Sequence, residues 1–139
     1  MAITTAMCTS FKKELFEAVH DFTSDTFKIA LYDSSATLGA STTAYSTSNE
    51  VSGTGYSAGG VALTIVAPAT DGTTALVDIG DVSWSGATFA ANGALIYNSS
   101  KSNKAVAVLS FGSVQNVSSA TFNITMPTAA AGTAIVRIN

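Results

Sequence analysis

Cysteine, histidine and tryptophan each occur once in this chain, proline occurs twice, and only 11% of the residues are charged. Each scarcity excludes something. With Cys8 alone there is no internal disulfide and no thiol cluster to hold a metal, so its expected role is that of a small buried hydrophobe. With His20 alone, no second histidine serves a Ser or Cys nucleophile, and triad chemistry has little support. Glu17, Asp21 and Asp25 lie close to His20 in sequence, but metal ligands must converge through the fold, and the expectation is a histidine on a helix surface. No metal, no cofactor and no enzymatic activity are expected.

The shortage of charge also limits the partners. The formal net charge is −3, the isoelectric point is near 4.7, and the six basic residues, Lys12, Lys13, Lys28, Lys101, Lys104 and Arg137, are scattered. Nucleic-acid binding needs clustered cations to neutralise phosphates, so it is not expected. No run approaches the roughly 18 apolar residues of a membrane-spanning helix. The opening MAITTAMCTS lacks the basic segment and apolar run of a signal peptide, and folding in a reducing cytoplasm is the expectation. The N-x-[ST] triplets at Asn98, Asn116 and Asn123 are taken as chance in a chain so rich in Ser and Thr. Gly53, Gly55, Gly59 and Gly60 are read as turn and bulge glycines. No Lys-Ser/Thr pair follows them, and the next run, VALTIV, is strand-like, so no helix N-terminus faces a phosphate.

What the chain does contain is β-pattern. Its 139 residues are treated as one domain, 1–139, large enough to bury a core without staples. The organising stretch runs from Asp78 to Phe111, where Ala94–Tyr97 and Ala105–Phe111 are apolar runs separated by a polar turn. This reads as a hairpin at the centre of an all-β core. Residues 1–10 form an uncharged arm, either pinned to its own domain or donated to a neighbour. Phe11, Leu15, Val19 and Phe22 share one face of a helix over 11–22, with Thr9 or Ser10 as its N-cap. Strands are expected at Phe27–Tyr32, with Phe27, Ile29 and Leu31 on one face, and at Val61–Val66, stopped by Pro68. A further strand over Ala75–Trp84 would carry a bulge at Gly80, and others are expected over Val114–Thr125 and Ala134–Ile138. Val117, Phe122 and Ile124 are core candidates. Between them, residues 33–60 form a long excursion of Ser, Thr, Ala and Gly, with a short edge strand near Tyr45 or Val51. The fold class is therefore all-β, a two-sheet antiparallel sandwich or jelly roll with one N-terminal amphipathic helix.

With few charges, the surface must be largely hydroxyls, backbone and small side chains, which suits close contact with other protein. The arm and the excursion are the candidate contact segments, with Ile3, Met7, Leu38, Tyr45, Val51 and Tyr56 as candidate contact residues. An alternative site is a carbohydrate surface built from Asp78, Asp81 and Trp84. On a strand, however, residues three apart point to opposite faces, so the two carboxylates converge only if Gly80 bulges.

The segments ITTAMCTSFKKELFEAVHDF, FKIALYDSSATL, VSWSGATFAANGALIYN, LSFG and ATFNITMP, taken in order over nearly the whole chain, resemble a group of small tailed-bacteriophage virion proteins. The resemblance implies a jelly-roll cement, or decoration, protein on the outside of a phage head, made in the host cytoplasm. Its implied partners are the major capsid protein and further copies of itself, as a dimer or trimer. A tail or baseplate component is the alternative within the same group.

Overall fold

The structure, a computed structural model, describes residues 2–139. Its elements are β1 (Ala6–Met7), α1 (Thr9–Phe16), β2 (Phe27–Tyr32), β3 (Val61–Ala62), β4 (Ile65–Asp71), β5 (Thr74–Ile79), β6 (Val82–Asn98), β7 (Lys104–Ile124) and β8 (Val136–Ile138). They form two antiparallel sheets, one of five strands in the order β1-β7-β6-β2-β3 and one of three in the order β4-β5-β8. The all-β sandwich with one helix is thus the observed architecture.

The central hairpin is β6 with β7, paired from Val82↔Ile124 to Asn98↔Lys104. Its inner half, Gly93–Asn98 against Lys104–Ser110, is buried on both faces, as its uninterrupted apolar runs demand. Its outer half alternates. Trp84, Ala87, Phe89 and Ala91 point inward, and the slip from 84 to 87 is taken up by a bulge in which Gly86 has φ +58°. Val117, Phe122 and Ile124 pack against the core from the opposing strand.

Several expectations are corrected. The helix ends at Phe16, six residues short of the periodicity, and begins after Cys8 without a side-chain cap bond. The stop is a Schellman turn: Val19 N–H donates to Glu14 O at 3.0 Å and Ala18 N–H to Leu15 O at 3.2 Å, with Ala18 at φ +57°. Ending there lets Phe22 stack on Phe27, with ring centroids 4.3 Å apart, and Phe11 meet Phe22 edge-on at 6.0 Å. His20 is consequently not on a helix surface. Its side chain has no exposure, and its ring lies 4.9 Å from Phe11.

The run Val61–Val66 is not one strand, because the chain changes sheets between Ala62 and Ile65. Pro68 does not stop β4 but sits within it, at the register shift between Val66 and Ala69. β4 is an edge strand there, so the missing N–H breaks no ladder. Asp71-Gly72 turns the chain, with Gly72 at φ +61° opening a two-residue hairpin loop. Finally, Gly80 is not a bulge inside one strand but part of the corner between β5 and β6, held by its N–H to Thr64 O at 2.8 Å.

β2 is buried along its length rather than on the single face of Phe27, Ile29 and Leu31. The cover is the excursion.

Candidate functional site

The arm and the excursion are bonded to the rest of the chain at many points. Ile3 bridges Leu38 in parallel, with Thr4 N–H donating to Leu38 O and Leu38 N–H to Ala2 O, and Ala6 and Met7 pair with Val108 and Ala107. Thr9 N–H donates to Ala40 O, Ala105 N–H to Thr43 O and Tyr45 N–H to Asn103 O. Asp33 N–H reaches Asn49 O, Val51 N–H reaches Leu31 O and Thr88 N–H reaches Thr54 O. From Ala2 onward the arm is thus pinned to its own domain. No strand forms in the excursion; single bridges at Ala44, Glu50 and Thr54 stand where an edge strand was expected. The close approach has a sequence requirement at two glycines. A Cβ at Gly60 would lie 1.7 Å from Ile29 O, and one at Gly53 would lie 2.4 Å from Thr88 O.

At the centre of the excursion a single carboxylate gathers the tyrosines. Glu50 accepts from Tyr45 Oη at 2.7 Å, from Tyr56 Oη at 2.5 Å and from Gly59 N–H at 2.7 Å. Tyr56 Oη also accepts from Leu31 N–H, Tyr97 Oη donates to Gly59 O at 2.6 Å, and Tyr32 Oη donates to Ser46 O at 2.7 Å. Tyr45 stacks on Tyr97, with centroids 4.7 Å apart and planes 16° from parallel. Burial pushes the phenols of Tyr32, Tyr45 and Tyr56 well above the usual range. For Tyr45 and Tyr56 the hydrogen bond to Glu50 adds to it, because that bond needs the proton in place. Burial and the nearby Glu50 charge also raise Tyr97. The chemistry of this cluster is that of a clasp: neutral donors locked on an anion.

A second polar network ties the helix end to the central hairpin. The Asn98 amide donates to His20 Nδ1 at 3.0 Å and to Asp25 Oδ2 at 2.8 Å, while its carbonyl accepts from Ser100 N–H. With both amide protons so used, Nδ1 is an acceptor, and the Nε2–H of His20 donates to Glu14 Oε1 at 2.9 Å. Burial works to raise the Asp25 carboxyl, but donors from Asn98, Asp21 N–H and Lys101 outweigh it and hold it below its ordinary value. No group of three His, Cys, Asp or Glu side chains able to hold a metal occurs among the described residues. Cys8 is fully buried, and its thiol is pushed up to about 11, by burial first and then by Glu14, so little reactive thiolate forms near neutrality.

The candidate contact residues are covered to different degrees. Ile3 and Val51 are buried in the core, and Met7, Leu38, Tyr45 and Tyr56 pack against it half-buried. What the excursion turns outward is hydroxyl and backbone: a shallow groove of roughly 470 Å³ is lined by Ser35, Ser41, Thr42, Thr43, Ser46 and Ser48 among others. The carbohydrate constellation does not assemble on an open face. Asp81 accepts from Met126 N–H at 2.7 Å, Asp78 lies within β5, and Trp84 is 4% exposed between Tyr56 and Phe122.

Two features were missed in the sequence. Glu50 was legible as the one carboxylate after Asp33 in a tyrosine-bearing stretch with no cation from 33 to 60. Phe16 was legible as a large apolar residue directly after Leu15, off the helix's inner face; it is 95% exposed. No protein-family model, curated protein or solved structure matches this chain.

Proposed function

We propose that this chain is a structural protein of a tailed-phage virion, a cement protein that binds the outside of the head across joints between major capsid subunits. The observation that carries the reading is the pinned excursion. A segment of nearly thirty residues, charged only at Asp33 and Glu50, is bonded down on the five-stranded sheet, and Glu50 is engaged by the clasp. Such a face has its conformational entropy already lost on folding, so little is lost again on contact. Its short hydroxyl side chains let another protein surface approach closely, without long charged groups to desolvate. Many modest contacts repeated by symmetry then add up to a stiff shell. The phage resemblance supplies the partner.

The test is to add the purified chain to expanded heads that lack it. Saturable binding at a copy number set by the head lattice, with a raised temperature of head rupture, is the expected result. Heads that take up none, or imaging that places the chain only at a single tail axis, would remove the head assignment and favour a tail component.

A further inference from the structure

The helix and the last strand leave an apolar groove between them, roughly 650 Å³ in volume, walled by Met7, Leu15, Ile135 and Ile138. A second hollow of roughly 230 Å³ continues it past Met7 and Ile135 toward Leu109 and Pro127. Phe16 stands on the rim at 95% exposure and Ile138 at 58%, two of the four large apolar side chains exposed among the described residues. The groove is bordered by Lys12 and Arg137. Among the described residues neither cation has a carboxylate within ion-pairing distance, whereas Lys13, Lys101 and Lys104 all do.

We infer that this α1–β8 face is a two-fold interface between copies of the chain, with Phe16 of each copy seated in the groove of the other. The knob and the hole lie side by side on one patch, which is the condition for a self-complementary, isologous contact. A head-to-tail ring or filament would need them on different surfaces. The area agrees. An aromatic ring buries about 150–250 Å², so two rings with the walls they cover account for roughly half or more of the ~1,200 Å² that a stable interface needs. Ile138 and the Lys12 stem supply further area at the border.

This takes up the self-association implied in the cement reading but needs no capsid. Sedimentation of the full chain over a range of concentrations tests it, with Phe16→Asp as the probe and Val114→Asp, at an exposed apolar position elsewhere on β7, as the control. The expected result is a dimer whose dissociation constant rises on the order of a hundredfold or more in Phe16→Asp, since each substitution acts twice, and stays unchanged in Val114→Asp. Because Phe16 makes little contact within its own chain, the thermal melt of dilute Phe16→Asp should match the parent, which separates a lost interface from a lost fold. A monomer at every concentration overturns the inference, as does a dimer indifferent to Phe16→Asp or a trimer that Phe16→Asp dissolves. Head binding is scored separately: a monomer that still coats heads leaves the cement reading standing, and a dimer that ignores heads does the reverse.

Discussion

Replacing Glu50 by Ala tests the clasp directly. The carboxylate accepts three hydrogen bonds, from two tyrosine hydroxyls and one backbone N–H, and it is partly shielded from water. A hydrogen bond to a charged acceptor is worth about 1.5–3 kcal/mol when well buried. Solvent access at this half-buried site lowers that toward about 1 kcal/mol each, so the expected loss is about 3 kcal/mol. For a domain of this size that is a fall in melting temperature of roughly 10 °C. The Gln variant keeps one acceptor oxygen without the charge and should lose roughly half as much. Thermal or denaturant unfolding gives the magnitude, and amide hydrogen exchange gives the place. The amides of Val51 and Gly59 should exchange faster while those of Leu95 and Val106 change only with global stability. A loss in Glu50→Ala below about 1 kcal/mol, with exchange in 45–60 unaltered, would refute the clasp as what holds the excursion.

Two further outcomes follow from the same structure. Ala18 closes the helix in the left-handed region at φ +57°, which costs an L-residue about 1–2 kcal/mol. Ala18→Gly removes that strain against about 0.4–1 kcal/mol of added unfolded-state entropy, so a net gain of roughly 0.5–1 kcal/mol should appear in denaturant melts. In alkali, the four tyrosines have folded-state values above the usual one, so above about pH 10 the unfolded chain binds fewer protons than the folded chain and stability falls. Stability is full below that pH, and each buried phenol such as Tyr32 removes about 1.4 kcal/mol per further pH unit. Tyrosinate absorbance should therefore rise together with unfolding. A smooth titration near pH 10 in a chain that stays folded would contradict the burial.

How much was legible depended on whether a segment's neighbours are local. β2 was found at its true bounds because FKIALY is apolar enough to be a strand wherever it sits. The central hairpin was found because its two runs are long and its turn polar. The helix was overextended because Phe11, Leu15, Val19 and Phe22 satisfy a helical spacing that the tertiary structure overrides. Once Ala18 turns the chain, His20 bonds Asn98 and Phe22 stacks on Phe27, contacts with partners outside the helix. The strand over Val61–Val66 was drawn too simply, since leaving one sheet for another produces no change in a run of apolar residues. Where the candidate contact residues sit was not legible, because burial in a polar loop depends on distant partners: Ile3 and Val51 are buried, the other four are half-buried, and the large apolar groups most exposed among the described residues are Phe16 and Ile138.

The order of residues alone determined a sparsely charged, β-rich chain without clusters of cysteine, histidine or cations, because composition and alternation are local properties. Only the tertiary structure decided that residues 33–60 are a fastened cover and that Phe16 stands beside an open groove. Both depend on contacts between residues far apart in the chain. Glu50 meets its tyrosines, and β8 comes beside α1, only after the sheets have formed.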